Sequence, residues 1–142
     1  MTTDPLARFV DAQHGVYPAA LAELRDGAKR SHWMWFVFPQ VRGLGFSTMA
    51  QRYAIADAAE ARAYLAHPVL GARLIELATA LLDHRGRKID RIMGDVDAKK
   101  LRSSMTLFDA VAPPVNDLPF GTVLDVFYGG VRDPATVKFL RA

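Results

Sequence analysis

The amino-acid sequence predicts an all-α protein, a compact single-domain multi-helix bundle. Three observations carry that expectation. Apolar residues recur with a period near 3.6 in several stretches, which places them on one face of a helix. Aspartates and Asp-Pro pairs stand where helices begin, because a carboxylate there accepts from backbone N–H groups that lack an internal partner, and proline is at ease in a first turn. Hairpin signals, by contrast, do not recur. A chain of 142 residues suits one domain, since folding at that length buries about two-thirds of the unfolded surface around a single core.

The elements follow in order. Asp4-Pro5 opens residues 6–13, where Leu6, Phe9 and Val10 share a face. Tyr17, Leu21 and Leu24 form the next stripe, closed by Gly27. The run Trp33-Met34-Trp35-Phe36-Val37-Phe38 is apolar all round and short enough for a buried strand. It reads as helix, with Ser31 as cap and Pro39 as stop, because no second strand-like run exists to pair with it. Ser47 can open a helix through Ala50, Tyr53 and Ala54. Asp57-Ala58-Ala59-Glu60 resembles a capping box for residues 58–66. Leu70, Leu74, Leu77 and Leu81 mark a helix from Pro68 to near Gly86. Leu101, Met105, Phe108 and Ala112 mark another over residues 96–111, stopped by Pro113-Pro114. Residues 120–128, between Pro119 and Gly129-Gly130, make a further helix, and Asp133-Pro134 opens the last, with Val137, Phe139 and Leu140. No repeat and no Gly/Ser linker divides the chain.

Composition excludes several function classes. No apolar run approaches the roughly 20 residues needed to cross a bilayer. The start Met1-Thr2-Thr3-Asp4-Pro5 carries an acid where a secretory leader would be positive, so a cytoplasmic, non-membrane protein is expected. The absence of cysteine removes disulfides, thiol catalysis and thiolate metal sites. His14, His32, His67 and His84 lack metal-ligand spacing, so neither a metal nor a cofactor is expected. Net charge is +3, with 13 Arg against 5 Lys, a weak argument for nucleic acid. The basic segment 84–88 reads as a solvated turn that complements a helix C-terminus.

Three short strings could carry chemistry. In residues 29–47, His32 lies one turn from Phe36 among the indoles of Trp33 and Trp35. Polar tips among aromatic faces suit a pocket wall, although the same residues also suit a buried helix. Gly43-Leu44-Gly45, with Arg42 and Ser47 beside it, offers backbone N–H groups for an anion, or a plain turn. Asp97, Leu101, Ser104 and Phe108 share one helix face, with Lys100 and Ser103 alongside. A carboxylate and a hydroxyl near a buried face require partners, whether structural or catalytic.

Residues 29–47 (K-R-S-H-W-M-W-F-V-F-P-Q-V-R-G-L-G-F-S), 67–74 (H-P-V-L-G-A-R-L) and Gly94, Asp97, Lys100-Leu101 and 103–108 (S-S-M-T-L-F) resemble the domain-of-unknown-function family 1810. The resemblance spans nearly the whole chain and implies an all-α single domain of unassigned activity. A second similarity, to the NADAR family of NAD and ADP-ribose chemistry, rests on His32-Trp33, Leu70-Gly71-Ala72-Arg73, Met105 and residues 123–136. Ser31 stands where that family carries an acid, so no catalytic role passes to that position.

The expectation is therefore a small-molecule site for an ADP-ribose-like or N-glycosidic nucleotide ligand. Trp33, Trp35 and Phe36 would wall it, with Gln40, Arg42, Gly43, Gly45, Ser47, Ser103 and Ser104 binding. In a hydrolase, Asp97, Lys100 and His32 would be catalytic, Asp97 orienting water while Lys100 or Arg42 holds phosphate. His32, Gln40, Asp97, Lys100 and Ser104 are expected to converge at one partly open cavity. The alternatives are a non-enzymatic helical interaction module and a weak nucleic-acid binder resting on Arg42, Arg85, Arg87, Lys88 and Arg91.

Overall fold

The computed structural model describes residues 4–114 and 117–141, which leaves the N-terminal Met1-Thr2-Thr3 outside the described residues. These residues form ten helices: α1 (Ala7–Gln13), α2 (Tyr17–Arg25), α3 (Met34–Val37), α4 (Thr48–Arg52), α5 (Ala58–Ala66), α6 (Leu70–Leu82), α7 (Ile89–Met93), α8 (Asp95–Val111), α9 (Phe120–Tyr128) and α10 (Pro134–Arg141). The longest, α8, lies at the centre and packs against α5, α7, α9 and α10. Phe9, Tyr64, Phe108 and Phe120 stack in sequence, with ring centroids 5.1, 5.3 and 6.0 Å apart, and so join α1, α5, α8 and α9 through one aromatic row. The α6 stripe of Leu70, Leu74, Leu77 and Leu81 is at most 1% exposed, and burial of each leucine contributes about 2 kcal/mol.

Three helix starts, those of α4, α5 and α10, take a capping side chain. Asp57 Oδ1 accepts from Glu60 N at 2.8 Å, and Asp133 Oδ2 accepts from Thr136 N at 3.0 Å. The helix of Ser47 forms, with its hydroxyl accepting from Ala50 N at 3.1 Å, but it ends at Arg52 instead of running through Tyr53 and Ala54. α6 starts at Leu70, not Pro68, because His67 Nδ1 takes the N–H groups of Val69 and Leu70 at 3.1 and 3.2 Å. It stops at Leu82, short of Gly86. His84 is not a solvated turn residue: its Nε2 lies 2.8 Å from Leu24 O, where it ties the end of α6 to the end of α2.

The largest correction concerns residues 33–38. Only Met34–Val37 make a helical turn, since Trp33 sits at φ −139° and Phe38 at φ −122°, ψ 72°. The cause is competition for polar partners. Trp33 Nε1 is drawn to Glu23 Oε1 at 3.1 Å, and Ser31 Oγ donates to the same carboxylate instead of capping a helix. The extended backbone beyond Phe38 does find a partner: Val41 and Ile55 form an isolated parallel bridge, in which Ile55 N donates to Gln40 O at 2.8 Å and Arg42 N to Ile55 O at 2.9 Å. A two-residue bridge is too short to show as a periodic run.

Among the described residues no single helix is long and apolar enough to cross a membrane. α5 and α6 have the length and composition only together, and they bend by 85°.

Candidate functional site

Gly94, at φ 86°, separates α7 from α8 and allows α8 to begin at once in a new direction. Ala98, Leu101, Met105 and Phe108 of α8 then face the core, while Val96, Lys100 and Ser103 border the α3 turn. Two clefts meet there. The first, about 450 Å³, is lined by Lys29, His32, Trp35, Gly94, Asp97 and Lys100, among others. The second, about 550 Å³, is lined by Trp35, Gln40, Ser47, Lys99, Lys100, Arg102, Ser103 and Asp133, with the 44–46 loop as its rim. Trp35, Val96 and Lys100 belong to both.

Each tryptophan carries a lysine. Lys29 Nζ lies 4.7 Å from the Trp33 ring and 2.8 Å from Asp97 Oδ2, with its side chain only 5% exposed. Lys100 Nζ lies 4.9 Å from the Trp35 ring and 3.8 Å from Asp97 Oδ1. Asp97 is thus clamped between two ammonium groups, each on an aromatic face that attracts cations. In that position it can hold a hydroxyl or a water, and it stabilises positive charge near it.

The segment that presents Lys29 and His32 is anchored from behind by Glu23 of α2. That side chain is 7% exposed, and its carboxylate accepts from Arg30 N at 2.7 Å, Ser31 N at 2.9 Å, Ser31 Oγ and Trp33 Nε1. Burial alone raises its ionisation point, but the hydrogen bonds outweigh burial and hold the group down to about 2. A second anchor comes from Gln13, whose buried Nε2 donates to Phe36 O at 2.8 Å and so fixes the turn that carries Trp35.

The family described as "Protein of unknown function (DUF1810)" matches residues 3–140. The chain belongs to the DUF1810 family. This DUF1810 chain is also similar to the crystal structure of the conserved hypothetical protein Rv1873 from Mycobacterium tuberculosis, with a TM-score of 0.93 and 48% identity over 98% of this chain and 99% of that one. Among curated proteins, no match is found.

The DUF1810 strings do not all reach the clefts. His32, Trp35, Asp97 and Lys100 line the first, and Trp35, Gln40, Gly45, Ser47, Lys100 and Ser103 line the second. Three expected wall or site residues sit behind them. Trp33 is fully buried, Phe36 packs on Tyr53 with ring centroids 5.3 Å apart, and Ser104 is fully buried with a hydroxyl that has no partner among the described residues. The reason for Ser104 is geometric: it lies on the core stripe between Leu101 and Phe108, and Asp97 sits where that stripe emerges. Arg42 and Gly43 are exposed and line neither cleft, and Gly43 at φ 91° serves the turn. The expected meeting of His32, Gln40, Asp97, Lys100 and Ser104 is therefore divided: three share the first cleft, Gln40 borders the second, and Ser104 is enclosed. Among the described residues no three His, Asp or Glu side chains gather as metal ligands.

Sequence reasoning missed Glu23, Lys29, Lys99, Arg102 and Asp133 as site residues. Glu23 did carry a signal, since it lies three residues after Ala20 and beside Leu24 on the stripe that α2 buries. Arg102 carried none, because an arginine beside a buried leucine on a helix usually reaches solvent.

Proposed function

We propose that this DUF1810 protein binds a nucleotide-derived small molecule of the ADP-ribose kind in the paired clefts around Trp35. The observation that carries the reading is the Trp35–Lys100–Asp97 cluster on the wall between them, with Lys100 Nζ 4.9 Å from the ring and 3.8 Å from the carboxylate. Such a cluster offers what a ribosylated, phosphorylated ligand needs: an aromatic face for a base, an acceptor for ribose hydroxyls and an ammonium for phosphate. The NADAR resemblance at His32-Trp33 supports the same ligand class. In a hydrolytic version, Asp97 holds the attacking water and stabilises an oxocarbenium-like centre, with His32 across the cleft as proton carrier.

A thermal-shift titration of the full chain with ADP-ribose, AMP and adenosine tests the reading. A ligand at a hundred times its Kd adds about 2.7 kcal/mol, which a melting curve resolves. Trp35→Leu and Lys100→Gln are expected to abolish the shift while leaving the unliganded melting temperature within a few degrees, since both side chains line open clefts. If none of the three compounds moves the wild-type transition, the interaction-module reading takes its place.

A further inference from the structure

The two clefts differ in charge. In the first, Lys29 and Lys100 face Asp95 and Asp97, so lysines and carboxylates are equal in number. In the second, Lys99, Lys100 and Arg102 face a single carboxylate, Asp133. That carboxylate is already engaged, because its Oδ2 accepts from Thr136 N at 3.0 Å and Thr136 Oγ1 at 2.6 Å to start α10. Its other oxygen forms a loose ion pair with Arg102 Nη2 at 3.9 Å, too long for a hydrogen bond. Arg102 Nε is buried and has no partner among the described residues.

An arginine whose side-on N–H is withdrawn from water and left without an acceptor is costly to keep in a purely structural role, and it lines an open cleft of excess positive charge. The side chain as a whole is 32% exposed, and a guanidinium can donate in pairs to the oxygens of a tetrahedral oxyanion. Ser47 and Ser103 hydroxyls and Gln40 border the same space, adding neutral polar groups without adding negative charge.

We infer that the second cleft is a phosphate subsite, with Arg102 as its principal ligand and Lys99 and Lys100 as supporting charges. Lys99 and Arg102, with the shared Lys100 that also pairs with Asp97 at 3.8 Å, outnumber the one carboxylate of this cleft and suit a phosphate oxyanion. The inference rests on the nucleotide reading for the remainder of the ligand, and it divides the work between the clefts: ring and ribose against Trp35 and Asp97, phosphate against Arg102.

Calorimetric titration of the full chain with inorganic phosphate, AMP and adenosine separates the two ideas. Wild-type protein is expected to bind phosphate, and to bind AMP more tightly than adenosine. Arg102→Gln should weaken phosphate and AMP about tenfold or more while changing adenosine by less than about twofold. Arg102→Lys, which keeps the charge but loses the paired edge, should recover only part. Lys99→Glu, at an exposed position, should weaken phosphate in the same direction and decides the matter if Arg102→Gln does not fold. Absence of phosphate binding, or phosphate affinity unchanged in both variants, overturns the subsite, and adenosine binding then still upholds the nucleotide reading. Phosphate binding that depends on Arg102, without any adenosine binding, upholds the subsite and removes the nucleotide.

Discussion

Glu23 ionises at about 2 in the folded chain against an ordinary 4.5, and the direction of its pH effect follows from that difference. The depressed value means the folded state gains from the carboxylate at every pH above about 4.5 and loses that gain as pH falls toward 2. The full contribution is roughly 3 kcal/mol, and an amide, which cannot satisfy four donors, should forfeit most of it at neutral pH. Urea unfolding at pH 7 and pH 3 should therefore show a larger acid loss for wild type than for Glu23→Gln; equal losses would remove this carboxylate from the account. Asp97→Asn should also lower the melting temperature, because it leaves Lys29, 5% exposed, without its carboxylate, at a cost on the order of 2 kcal/mol. Pairing it with Lys29→Met should restore part of the loss. The site residues legible in the sequence were those packed into short unusual strings, His32, Trp35, Asp97 and Lys100. Arg102 and Asp133 escaped because they pair with each other across a long stretch of chain, and Glu23 because its partners lie on the segment after its own helix, which spacing within one helix cannot reveal.

At the scale of elements, the α5–α6 corner is the tightest contact. A Cβ on Gly71 would fall 1.9 Å from Leu65 O, so α6 can bend back by 85° only because that position is glycine. Gly71→Ala should push the two helices apart and cost more than about 2 kcal/mol, whereas Ala72→Gly, one exposed position along, should cost about 1 kcal/mol through helix propensity alone. Thermal unfolding of the two variants checks the contrast. α5 and α10, each with a capping aspartate, and α9, bounded by Pro119, were legible with their starts, and α8 to within one residue. α3 was legible as helix but not in its bounds, since it spans only four residues, and α7, five residues without a repeat, was not legible. Their positions are set by tertiary partners, Glu23 and Gln13 for α3 and the Gly94 turn for α7.

At the scale of the molecule, one aromatic row and one central helix join elements from both ends of the chain, so unfolding should be a single cooperative transition. Coincident curves from far-ultraviolet and tryptophan signals would bear this out, because Trp33 and Trp35 report on α3 while helicity reports on the whole. The basic residues Arg85, Arg87, Lys88 and Arg91 are all exposed, but Asp83 and Asp90 are interspersed with them and are exposed too. Binding to a fluorescent duplex should accordingly be weak and vanish by physiological salt; retention there would overturn the expectation. The Val41–Ile55 bridge bears on how proteins of this build could diversify. It closes residues 42–54 at their base with two backbone bonds, and Tyr53, stacked on Phe9 and Phe36, ties the far end of the excursion to α1 and α3, while Gly43, Phe46 and Ser47 stand exposed at its tip. That excursion supplies Leu44, Gly45, Phe46, Ser47 and Ala50 to one cleft wall. Insertions at its tip would then redraw what the cleft admits at little expense to folding, a point where selection, or an engineer, can change the guest without rebuilding the house.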